Sequence, residues 1–197
     1  MNEPAQRHCP PSALATGVGA EHPDVHRLAL LFATEPELIP ACLEAPESGQ
    51  PMSPAVILAA AKQAITSRPK HADLRYFAAH AAMHVDELEE ARTLLASALE
   101  LNPQYNAALI LAARICVLQG QHGEALQHLR QAVFNGADYA DVHTMLGDLW
   151  RGREEFARAR EAYQRALQIN DNLPAVCERL CALDADQQRR GTDELPA

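Results

Sequence analysis

The chain has 197 residues, a formal net charge of −9 and 48% hydrophobic residues, enough for one domain with tails. Its acids outnumber its bases and no basic stripe is present, which excludes the footprint of a nucleic-acid binder or of a protein drawn to anionic membranes. The five cysteines are odd in number and three lie in helical patterns, so they read as buried thiols of a reducing compartment rather than a disulfide framework. With no apolar stretch of signal-peptide or membrane-span length, the sequence predicts a cytoplasmic protein without membrane insertion.

Residues 1–20 are rich in Pro, Gly and Ala without periodicity and are expected to form a disordered tail. Residues 21–52 read as a short irregular helical segment and loop. Pro23–Ala33 predicts a helix, with Val25, Leu28, Leu30, Leu31 and Phe32 as its apolar surface. Thr34 is placed to cap a second short helix reaching about Glu44, with Glu37 completing a capping box around Pro36. Ala45–Met52 carries Pro, Ser and Gly and is expected to be loop. Ser53-Pro54 then combines a hydroxyl N-cap with proline at the first helical position, and the helix it starts stops before Pro69.

From Ala72 onward the pattern is paired helices: 72–84 with 87–101, 106–118 with 122–134, and 140–151 with 154–168. An amphipathic helix over 173–187 follows, and Gln188–Ala197 is expected to be a flexible polar tail. Gly120 and Gly152 are placed to end two of the first helices, and Asn135-Gly136 closes a second helix. Pro103 falls between pairs, where it cannot continue a helix.

The pairs share one period. Ala91 and Ala98, Ala125 and Ala132, and Ala159 and Ala166 recur after 34 residues without insertion. Numbered from Ala72, Asn106 and Ala140, the eighth position holds Ala79, Ala113 and Gly147. The twenty-fourth holds Leu95, Leu129 and Tyr163. Small residues at the first set let two helices close on each other, and large ones at the second fill the space between. An alanine-rich bundle would produce some coincidences of this kind, but the Leu, Gly, aromatic and Pro positions agree in the same register.

At Leu146-Gly147, Trp150, Ala159, Tyr163 and Ala166, with Pro69 and Pro103 as closing prolines, the chain resembles the tetratricopeptide repeat family. Arg75, Leu109 and His143 stand where that family often has Trp, and Ala137 and Asp171 replace the closing Pro. The resemblance implies an all-α, right-handed α-α superhelix with N-terminal flanking helices. Its parts would be a half repeat over 53–71, repeats over 72–105, 106–139 and 140–173, and a capping helix over 174–187.

The resemblance also implies a concave groove lined by the first helices. Its wall would be Asp73, Tyr76, Phe77, His80, Met83 and His84 in the first repeat and Ala107, Ile110, Leu111, Arg114, Val117 and Leu118 in the second. The third would add Asp141, Thr144, Met145, Asp148 and Arg151. This groove reads as apolar in the middle, with methionines that adapt to a helix or an extended peptide. Arg114 is expected to stand alone near the centre, placed to hold a ligand carboxylate. The family's clamp for acidic chaperone tails is absent, since those positions hold Tyr76, His80, Leu111, Asp141 and Met145.

Other chemistry is weakly signalled. His80 and His84 share a helix face near Asp73, but they read as solvated groove histidines and not as metal ligands. Cys177 and Cys181 fall at the fourth and eighth positions of a further unit and are expected to be buried structural thiols. No Gly-rich phosphate loop, nucleophile elbow or isolated acid pair is present. The expected role is therefore a non-catalytic adaptor or scaffold without cofactor or metal, binding a peptide or helix of a partner protein. A secretion-type chaperone for an exported hydrophobic subunit also fits the size and acidity. Self-assembly through residues 21–44 would make a homo-oligomer, with Leu28–Phe32 as the contact.

Overall fold

The structure, a computed structural model, describes residues 23–44 and 53–193, so the expectations for 1–20 and for the 45–52 loop lie outside the described residues. Among these, the regular structure is helical throughout: α1 (Pro23–Thr34), α2 (Leu38–Glu44), α3 (Pro54–Ser67), α4 (Ala72–His84) and α5 (Leu88–Leu101). They are followed by α6 (Asn106–Leu118), α7 (His122–Phe134), α8 (Ala140–Gly152), α9 (Phe156–Ile169) and α10 (Pro174–Asp193). α4 packs on α5, α6 on α7 and α8 on α9; each second helix then packs on the next first helix, ending with α9 on α10. The result is an all-α superhelix of stacked pairs.

The period dictates this stacking. Ala91, Ala98, Ala125, Ala132, Ala159 and Ala166 are all fully buried, and so are Ala79 and Ala113. Leu95 and Leu129 fill the space opposite those small residues and are themselves buried, each gaining about 1.5–3 kcal/mol from removal from water. The third repeat exchanges volumes: Tyr163 is fully buried and Gly147 makes room for it. A Cβ added at Gly147 would lie 2.4 Å from Cε1 of the Tyr163 ring.

The turns inside the repeats are also periodic. Asp86, Gly120 and Glu154, each 34 residues from the next, adopt left-handed φ values of 61°, 72° and 63°. The following amides of Glu87, Gln121 and Glu155 donate back to Ala82, Cys116 and Trp150 carbonyls at 3.0, 2.8 and 3.0 Å. Together with the bonds Asp86 N to Met83 O, Gly120 N to Val117 O and Glu154 N to Arg151 O, these are Schellman closures. Gly152 ends α8, as the sequence reading placed it, and the left-handed position of that turn falls on Glu154.

Several further details differ from expectation. Thr34 does not cap α2; it is the last residue of α1, and its hydroxyl donates to the Leu31 carbonyl at 2.8 Å. Ser53 is the N-cap of α3 with Pro54 behind it, but its side chain makes no capping bond. The expected half repeat has a first helix after all: α1 packs along α3, and α3 packs on α4 as second helices do elsewhere. α2, anchored by the fully buried Ile39, is an insertion that lies against α4 and α3. α10 continues to Asp193, past the boundary expected at residue 187.

A last difference changes the reading of two side chains. Cys177 and Cys181 are exposed, not buried. The core face of α10 is Val176, Leu180 and Leu183, continued by Leu173 just before the helix, and it packs against α9 residues including Tyr163 and Ala166. The eighth position of each earlier first helix is buried, at Ala79, Ala113 and Gly147, whereas no second helix covers α10 among the described residues.

Candidate functional site

Two adjoining clefts open along the first helices of the C-terminal half. One, of about 450 Å³, is lined by Arg114 of α6, Asp141, Thr144, Met145 and Asp148 of α8, and Leu173, Pro174, Ala175, Val176 and Arg179 at the start of α10. The other, of about 220 Å³, is lined by Val117, His122, Met145, Asp148, Leu149, Gly152 and Arg153. Met145 and Asp148 belong to both, so the side chains of α8 form the shared wall. Helical spacing explains this, because residues 141, 144, 145 and 148 fall on one face.

Of the residues expected to line a groove, Arg114, Val117, Asp141, Met145 and Asp148 are brought together at these clefts. Tyr76, His80, Met83 and His84 on α4 line neither. Tyr76 is half-buried, with its ring 5.1 Å from Phe77 and 5.3 Å from Tyr105. Burial and the hydrogen bond to Asp73 hold the Tyr105 phenol far above its usual range. The His80 and His84 rings lie 5.2 Å apart. Among the described residues no three His, Cys, Asp or Glu side chains form a group able to hold a metal ion. Ile110 is half-buried, packed against the Ala113–Leu129 core, and Leu111 is buried in the core instead of lining a wall.

Arg114 does not stand alone. Its Nη2 donates to Asp141 Oδ2 at 2.9 Å, joining α6 to α8 across the cleft. Both side chains are about half exposed, at 51% and 53%, so the pair is worth at most about 1 kcal/mol and a ligand can exchange with either partner. Asp148 is also engaged. It accepts the Tyr163 hydroxyl at 2.7 Å and lies 3.4 Å from Arg179 of α10. Burial first, and then the bond to Asp148, push the Tyr163 phenol above its normal range, so it remains a donor. The cleft is thus charge-balanced, with two arginines and two aspartates around Met145, Leu173 and Val176.

Sequence reasoning missed α10 as a wall of this site, having treated it as a cap. The available signal was the continued spacing of Leu173, Val176 and Arg179, which repeats first-helix positions of the earlier units. A third opening, of about 310 Å³, lies between α5, α6 and α7 and includes Arg92, Cys116 and His128. Burial raises the Cys116 thiol and lowers the His128 imidazole from their ordinary values. Arg92 donates there to Gln119 at 3.2 Å and to Glu124 at 2.9 Å, fastening the first repeat to the second.

Stacked helix pairs with first-helix side chains facing an open groove define a helical-repeat solenoid. Sequence models of the tetratricopeptide repeat match residues 58–106, 86–149 and 140–173, which together span most of the described helices. The chain belongs to the tetratricopeptide repeat family. Curated relatives are subunit 7 of the anaphase-promoting complex from Homo sapiens and Mus musculus, each 31% identical over 99 residues. That match covers 50% of this chain and only 17% of the relatives' length. Among solved structures, MamA from Desulfovibrio magneticus RS-1 superposes with a TM-score of 0.69 at 18% identity, covering 86% of this chain and 89% of that one. YrrB, described as a tetratricopeptide protein with an unusual peptide-binding site, gives 0.61 at 25% identity over 64% of this chain and 66% of its own. No helix among the described residues is long and apolar enough to cross a membrane.

Proposed function

We propose that this protein is a non-catalytic interaction adaptor that holds a peptide segment or helix of a partner protein along α6, α8 and α10. The observation that carries the reading is the pair of adjoining clefts sharing Met145 and Asp148. An apolar floor with a charge-balanced rim suits a ligand with one or two apolar anchors flanked by both signs of charge. Met145 and the exposed Val117 provide contact area, and Arg114 and Asp141 set register by exchanging partners with the ligand. The peptide-binding site reported for YrrB is consistent with such a role for this fold.

The test begins with a displayed random-peptide library selected against the whole chain. Val117→Glu and Met145→Glu place a charge on the floor and are expected to weaken a selected peptide at least tenfold, with unchanged far-ultraviolet circular dichroism. Gln127→Glu, on the exposed side of α7, is expected to bind as the parent does. Equal binding by all three variants would remove the clefts as the site.

A further inference from the structure

Among the described residues, no second helix covers α10. The eighth position of each earlier first helix is buried, as Ala79, Ala113 and Gly147. In α10 the equivalent residue is Cys181, and Cys177 lies one turn before it; both are exposed free thiols. The neighbouring core stripe is already committed, with Val176 and Leu183 buried and Leu173 and Leu180 packed beside them. The thiols therefore take no part in holding α10 in place.

Side chains four residues apart on a helix stand one above the other, with Cβ atoms about 5–6 Å apart. Two thiolates at that spacing can converge on one ion by side-chain rotation alone. The surroundings restrict which ion. No group of three metal-ligating side chains occurs among the described residues, and Asp184, the nearest carboxylate one turn further on this face, is engaged by Arg160. A structural zinc ion needs four ligands, and magnesium and calcium need hard oxygen donors. Soft thiolates favour Cu(I), a closed-shell monovalent ion that two opposed donors satisfy.

We propose that Cys177 and Cys181 form a two-thiolate site for a soft monovalent cation of the Cu(I) class. Binding forms two S–Cu bonds and releases the two thiol protons to solvent. No electron is transferred, and because binding releases protons the apparent affinity rises with pH. Neither thiol lines the clefts along α8, so the ion site is tested independently of the peptide reading.

The experiment offers Cu(I), held by a chromogenic chelator under anaerobic reducing conditions, to the full chain. The parent is expected to withdraw one ion per chain. Cys177→Ser and Cys181→Ser are each expected to lose at least tenfold in apparent affinity, while Cys42→Ser behaves as the parent. Zn(II) under matched competition is expected not to be retained. Uptake by the Cys177→Ser/Cys181→Ser double variant equal to the parent's would overturn the proposal, as would equal loss in Cys42→Ser or no uptake by the parent. Cys177 and Cys181 are both exposed, so circular dichroism of their variants is expected to match the parent.

Discussion

Gly147 shows how a single position decides packing in the third repeat. Alanine would favour the helix by about 1 kcal/mol, but its Cβ would enter the ring of Tyr163, which is fully buried and cannot swing aside. Overpacking of this kind costs about 1–3 kcal/mol, so Gly147→Ala is expected to lower the urea midpoint. Adding Tyr163→Leu recreates the Ala–Leu arrangement of Ala79 with Leu95 and Ala113 with Leu129, and is expected to recover much of the loss. At Gly120, by contrast, a Cβ meets nothing within 4 Å, and only the left-handed backbone resists substitution. Gly120→Ala should therefore cost about 1–2 kcal/mol with no change in packing, read from denaturation and an unaltered near-ultraviolet spectrum. The alanine and leucine positions were legible because period and volume agree. The left-handed sites at Asp86 and Glu154 were not, because neither residue type announces that geometry; only the 34-residue offset from Gly120 does.

At the scale of elements, ties between helices are what the sequence conceals. Asp138, in the link between α7 and α8, accepts from Arg165 of α9 through Nε at 3.1 Å and through Nη2, and pairs with His143 Nε2 at 2.8 Å. Hydrogen bonds from Arg165, and then from His143, hold the Asp138 carboxyl below its ordinary value. A depressed carboxylate contributes stability that is complete above about pH 4 and is lost as pH falls through the depressed value. Arg165→Gln is expected to move the Asp138 carboxyl titration, followed by NMR, back up toward the ordinary range. The onset of acid destabilisation should move to higher pH with it. Arg114–Asp141 and Arg165–Asp138 each join residues 27 apart, a separation with meaning only once the repeat geometry is known. The exposure of Cys177 and Cys181 was illegible for a related reason. The eighth position of the register is buried in the earlier repeats, and among the described residues no second helix covers α10.

At the scale of the molecule, the 34-residue period made the three central pairs, and so the class of fold, readable from residues alone. It did not show that α1 completes a pair with α3, because α2 and its flanks interrupt the spacing. Nor did it show that the clefts gather at the C-terminal half, since that depends on α10 acting as a wall. In the proposed function α8 is the centre of recognition, flanked by α6 and α10. The most direct measurement is a methyl NMR footprint of the whole chain titrated with a selected peptide. Shifts concentrated at Val117, Met145 and Val176, with Leu94 on α5 and Leu126 on α7 unmoved, are the predicted result. Shifts confined to α5 and α7, with Met145 unmoved at saturation, would contradict it.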